Sequence, residues 1–102
     1  MTPFTKQDMF YDDYTWSNYA TNSPKISGKI DDTKFNCNEG QEVLYLINKI
    51  KELWDFTKIE SCIKLERIIK ERLPNNITTQ EDAVSWIQIN WRSIQFKEVI
   101  LL

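Results

Sequence analysis

The chain contains no histidine, two glycines, two cysteines and three prolines among its 102 residues. Each scarcity removes a class of function. Without histidine the commonest general base and the commonest zinc ligand are gone. Two cysteines set 25 positions apart, Cys37 and Cys62, form no CxxC and cannot close a thiolate metal site. Gly28 and Gly40 alone cannot build a phosphate-cradling loop, and no GxGxxG, GxxxxGK[ST] or GxSxG occurs. The acid pairs Asp12/Asp13 and Asp31/Asp32 are adjacent residues, which point to opposite sides of an extended backbone. They read as solvated loop carboxylates. No cofactor and no metal is expected, and the chain is not expected to be an enzyme.

Long apolar runs are missing as well. The longest is the terminal Val99-Ile100-Leu101-Leu102, far short of a membrane span, so no membrane partner is expected. The opening MTPFTKQDMF has no apolar h-region. A secreted domain of this size would usually carry more cysteine, which makes a reducing cytoplasm the expected location.

Charge of one sign is also lacking. Thirteen basic and 15 acidic residues leave a formal charge of −2, and the halves differ little, −3 over residues 1–56 and +1 over 57–102. Such a balance gives no strong field for nucleic acid or an anionic membrane. What is present, 41% apolar and 27% charged residues, is the composition of a globular domain. The length suits one domain over 1–102, with a core large enough to need no staples.

Helix signals begin near residue 38 and then come quickly. Asn38-Glu39-Gly40-Gln41 reads as a capping box, followed by Val43, Leu46, Ile47, Ile50, Leu53 and Trp54 at helical spacing. Thr57-Lys58-Ile59-Glu60 starts a second run, with Ile59, Cys62, Ile63, Leu65, Ile69 and Leu73 on its apolar side. Glu60–Lys64 and Glu66–Lys70 stand at i,i+4, and Pro74 stops the helix. Thr78-Thr79-Gln80-Glu81 opens a third, carrying Ala83, Val84, Trp86, Ile87, Trp91 and Ile94. These signals predict a mainly α fold: a compact three-helix layer at about 39–54, 58–73 and 79–91. Residues 1–38 read as an irregular aromatic arm packed over it, with room for a short β-hairpin near 25–35 marked by the turn signal Asn22-Ser23-Pro24.

The arm holds the first candidate surface. Phe10, Tyr11, Tyr14, Trp16 and Tyr19 crowd into twelve positions with Asp8, Asp12 and Asp13. Two readings compete. The arm can be a strap whose rings bury against the helices, each worth about 2 kcal/mol. It can also present a recognition patch, since tyrosine and tryptophan anchor interfaces and aspartates select a basic partner. Tyr11, Asp12, Asp13, Tyr14 and Trp16 are the candidate protein contacts.

The second candidate surface is basic. Lys64, Arg67, Lys70 and Arg72 share the second helix, and a connector leads from it to a third, an order that invites comparison with helix-turn-helix proteins. The connector contains Pro74 and exceeds the usual three or four residues, and the third helix opens with Glu81 and Asp82. These four are the candidate nucleic-acid contacts under the alternative reading. The apolar Val99–Leu102 needs cover, from the chain itself or from another copy. The expectation is a non-enzymatic accessory protein that binds another protein, of the inhibitor, immunity or adaptor kind common in bacteria and phages. The alternatives are a small nucleic-acid-binding regulator and a self-associating structural subunit.

Overall fold

The computed structural model of the chain describes residues 3–96. A long irregular segment, carrying one 3₁₀ turn at Lys6–Asp8, precedes three helices: α1 (Gly40–Leu53), α2 (Ile59–Glu71) and α3 (Gln80–Asn90). All three lie within two residues of the expected spans. The protein is a small, mainly α three-helix fold in which α2 packs against both α1 and α3.

The caps of α1 and α3 each fall one residue beyond the expected position. Glu39, not Asn38, caps α1, its carboxylate accepting from the Gln41 amide at 2.9 Å. Thr79, not Thr78, caps α3, its hydroxyl accepting from the Asp82 amide at 3.2 Å. In both cases the arm claims the earlier residue. The Asn38 carbonyl accepts from Thr15 N at 3.0 Å, and the Thr78 carbonyl from Phe35 N at 2.8 Å. The start signal at Thr57 also slips by one: Lys58 stands at the cap position before Ile59 and provides no side-chain cap.

At its other end α1 closes through a left-handed residue. Asp55 has φ 55°, the Phe56 amide returns to the Lys51 carbonyl at 3.0 Å, and Asp55 N returns to Glu52 O at 3.4 Å. That pair of bonds is a Schellman closure with aspartate where glycine is usual. It turns the chain sharply enough for Phe56 to meet Trp54 and Trp91.

Val43, Leu46, Ile47 and Ile50 of α1, Cys62, Leu65, Ile68 and Ile69 of α2, and Ala83 and Ile87 of α3 form the buried core. The arm adds Phe4, Tyr14 and Phe35, so the strap reading holds for part of its aromatics. Leu53, predicted on the apolar face of α1, is 63% exposed instead, standing at the last residue of the helix.

Apolar burial is only half of what fastens the arm. Helix N-termini leave orphan amides, and the arm's carbonyls take them: Thr15 O accepts from Gly40 N at 2.7 Å, Thr33 O from Gln80 N at 2.9 Å and Asp31 O from Glu81 N at 2.9 Å. In return the helices offer buried and half-buried side chains to the arm's backbone. Asn48 brackets Phe4, accepting from its N–H and donating to its carbonyl, both at 2.9 Å. Glu42 accepts from Asn36 N, Glu39 from Ser17 N, and Gln80 donates to Pro24 O. An irregular chain can lie on a core only if such groups find partners. Among the described residues no buried side-chain nitrogen or oxygen lacks one.

The hairpin anticipated near 25–35 is not formed. Residues 21–29 make successive turns, with Ser23 N on Ala20 O and Ile26 N on Ser23 O, both at 3.0 Å, and the segment after them pairs with the start of α3 through one isolated bridge, Lys34 with Thr79. Pairing to α3 uses the groups a hairpin would have needed. The role expected of Val99–Leu102 lies outside the described residues.

Candidate functional site

The centre of the arm–helix contact is Glu66, fully buried in the middle of α2. A buried carboxylate costs several kcal/mol unless it is fully hydrogen-bonded. The arm supplies three donors: Phe10 N to Oε1 at 2.6 Å, Tyr11 N to Oε2 at 3.1 Å and the Tyr14 hydroxyl to Oε2 at 2.8 Å. Burial, and then this bond to Glu66, pushes the Tyr14 phenol far above its ordinary pKa. Glu66 is therefore not the helix-surface partner of Lys70 that its spacing suggested, and Glu60 makes no ion pair with Lys64 among the described residues. The i,i+4 pair that does form is Arg67–Glu71, at 3.0 Å.

With the arm seated on Glu66, the two candidate surfaces face each other. The Lys70 ammonium lies 3.3 Å from an Asp13 carboxylate oxygen, 4.5 Å from the centre of the Tyr14 ring and 5.6 Å from that of Tyr11, and only 9% of its side chain is exposed. The Tyr11 hydroxyl donates to Glu71, which Arg67 also holds. Burial, followed by that bond, raises Tyr11 to about 12, while the bonds from Tyr11 and then Arg67 hold Glu71 below the usual carboxylate range. The Arg67 guanidinium also lies 5.3 Å from the Phe10 ring and 4.1 Å from that of Phe96. Residues read as alternative sites are largely one another's partners.

The remaining candidates separate. Trp16 is half-buried against the start of α1, edge-on to Tyr14, with the Lys6 ammonium 4.4 Å above its ring. Asp12 is exposed. Arg72 is exposed, its guanidinium 5.1 Å from the Phe96 ring. Lys64 turns the other way, donating to the Trp91 carbonyl at 2.8 Å with its ammonium 4.2 Å over the Trp91 ring. Trp91 is in turn stacked on Phe56 and edge-on to Trp54, so the α1–α2 turn packs against it. Cys62 is buried and its thiol pushed up by burial, an inert core residue, and Cys37 is a half-buried free thiol.

What the seated arm leaves open is a groove of about 440 Å³ alongside α2. It is lined by Phe10 of the arm, by Glu60, Ile63, Lys64 and Arg67 of α2, and by Ile94, Gln95 and Phe96 beyond α3. The lining is predominantly apolar, and Phe10 stands at the lip with 59% of its surface in water. None of Phe10, Ile63, Ile94 or Phe96 was among the sequence-selected sites. They come from three distant segments, and only the position of Glu66, on the Cys62–Leu65–Ile69 stripe, signalled that something must cover α2 there. Among the described residues no group of three or more acids and cysteines is gathered to hold a metal, and no helix is long and apolar enough to cross a membrane.

Comparison of the chain with protein families, with curated proteins and with solved structures returned no match. The geometry is the basis for a functional reading.

Proposed function

We propose that this is a small non-enzymatic cytoplasmic protein that binds another protein, acting as an inhibitor, immunity factor or adaptor does, by occluding its partner's surface. The observation that carries the reading is the groove beside α2. It is an apolar concavity with an exposed phenylalanine at its lip, and exposed aromatics beside pockets are where interfaces concentrate their energy. The contact set moves accordingly. Phe10, Ile63 and Phe96 take the anchoring role, with exposed Asp12 and partly paired Asp13 beside them, while Tyr14 is reassigned to holding the arm. Two free cysteines, one of them buried, accord with a reducing compartment.

The nucleic-acid reading loses physical support, because Lys70 and Arg67 spend their charge on Asp13 and Glu71. Phosphate contacts would have to compete with those pairs. A tagged pull-down from nuclease-treated host lysate, at about 150 mM salt where exposed charges are largely screened, tests the proposal. One stoichiometric protein is expected, lost with Phe10→Asp and retained with Arg72→Glu. Nucleic acid recovered from untreated lysate and lost with Arg72→Glu would overturn it.

A further inference from the structure

Lys64 lines the groove and forms no ion pair among the described residues. Lys64 is half-buried, and its ammonium has three hydrogens, of which the Trp91 carbonyl takes one. Its other close neighbour is the Trp91 ring, and no carboxylate of the described residues forms an ion pair with it. Glu60, one turn earlier on the same helix, is exposed and does not close on it. Burial pushes the Lys64 pKa below the ordinary lysine value, the sign of an ammonium deprived of water without a compensating charge. Arg67 differs: its guanidinium is held by Glu71 and lies 4.1 Å from the centre of the Phe96 ring, so it serves the groove as part of its lining.

The groove therefore carries an acid and a base one turn apart on α2, Glu60 and Lys64, within a lining whose apolar part is Phe10, Ile63, Ile94 and Phe96. We propose that it binds an extended peptide segment of a partner protein in which one acidic side chain is followed by aliphatic residues. The carboxylate meets Lys64 and the aliphatic groups fill the space between Phe10 and Ile94. This rests on the protein-binding reading above and names the partner's chemistry. A peptide suits the site because Phe10, part of the lining, is itself exposed, so an occupant resting on it stays continuous with a larger chain outside. An acid at Lys64 gains a desolvated counter-ion, whereas a base there meets an ammonium in a low-dielectric setting, and that difference sets specificity more than affinity.

The test uses the full chain and two fluorescein-labelled peptides, Glu-Val-Leu-Leu and Lys-Val-Leu-Leu, followed by anisotropy. The acidic peptide is expected to bind about fivefold or more tightly than the basic one, a preference that shrinks at high salt, as a partly exposed ion pair implies. Lys64→Gln, which can still donate to the Trp91 carbonyl, is expected to erase the preference, Lys64→Glu to invert it, and Phe10→Asp to weaken both peptides. Thermal melts confirm that each variant is folded. Equal binding of the two peptides, or no binding of either, overturns the proposal. So does binding of the acidic peptide that appears only after Ile100→Ser and Leu101→Ser, which would assign the groove to the chain's own end. If Phe10→Asp abolishes partner capture while the peptides show no charge preference, the protein-binding reading stands and its acidic chemistry falls.

Discussion

Tyr14 and Glu66 are both buried and are joined by a 2.8 Å bond from the phenolic hydroxyl to the carboxylate, across 52 residues of sequence. This bond, with the Phe10 and Tyr11 amides on the same carboxylate, ties the arm to the middle of α2 and decides which surfaces the protein presents.

Removing the pair one member at a time should be costly and coupled. Tyr14→Phe leaves an acceptor short of a charge-assisted bond and is expected to cost about 1.5–2 kcal/mol. Glu66→Ala strands two backbone amides and a hydroxyl, for roughly 3 kcal/mol or more. The double variant should be less destabilised than the sum, by about 1 kcal/mol, as groups in contact require. Urea unfolding monitored by circular dichroism supplies all four corners of the cycle. Strict additivity would mean that the bond contributes nothing.

All four tyrosines, Tyr11, Tyr14, Tyr19 and Tyr45, have phenols held above the ordinary value of 10.0. Tyr19 is raised to about 12, first by its bond to Glu42 and then by burial. A phenol with a raised folded pKa stays neutral in the fold after its unfolded counterpart has begun to ionise. Its contribution to stability is complete below pH 10 and is lost as pH rises towards and through the folded value. Absorbance at the tyrosinate band should therefore stay near baseline at pH 10 in the native protein, where the denatured chain is half ionised. Stability should decline between pH 10 and 12.

Gly40 is the first residue of α1 and faces the Trp16 ring so closely that an added Cβ would fall 2.5 Å from two of its carbons. Alanine is the better helix former by about 1 kcal/mol. Here Gly40→Ala should nonetheless destabilise by about 1–2 kcal/mol, because Trp16 must be displaced from Tyr14 and Lys6. In a Trp16→Ala background the sign should reverse. Thermal melts of the three variants decide it.

The helices were legible because their determinants are local. Spacing of Val43, Leu46, Ile47 and Ile50, a stop at Pro74 and a cap near Thr79 need no knowledge of the rest of the chain. Caps slipped where a distant segment intervened, as Thr15 does at Asn38 and Phe35 at Thr78. The arm's path was not legible in detail. Aromatic crowding announced burial, but the fastening depends on pairs such as Phe10–Glu66 and Phe4–Asn48, with no signature in either segment alone. Charge spacing misled for the same reason. Glu66 looked like a surface partner for Lys70 and is a buried anchor, while Lys70 pairs with Asp13. The groove has walls at residues 10, 63–67 and 94–96, so it exists only once the arm is seated.

The central claim is that Glu66 holds the arm as part of the fold, consuming the basic face of α2 and building one wall of the groove. Native-state hydrogen exchange of the Phe10 and Tyr11 amides measures this directly. Both should be protected to an extent approaching that of the α2 amides, and Glu66→Gln should weaken that protection by at least about tenfold, the loss of roughly 1.4 kcal/mol from the local opening energy. If the two amides exchange like an unstructured peptide while α2 remains protected, the arm is not fastened. Lys70 and Arg67 would then be open to an anionic partner, and the groove would lose the wall on which the proposed function depends.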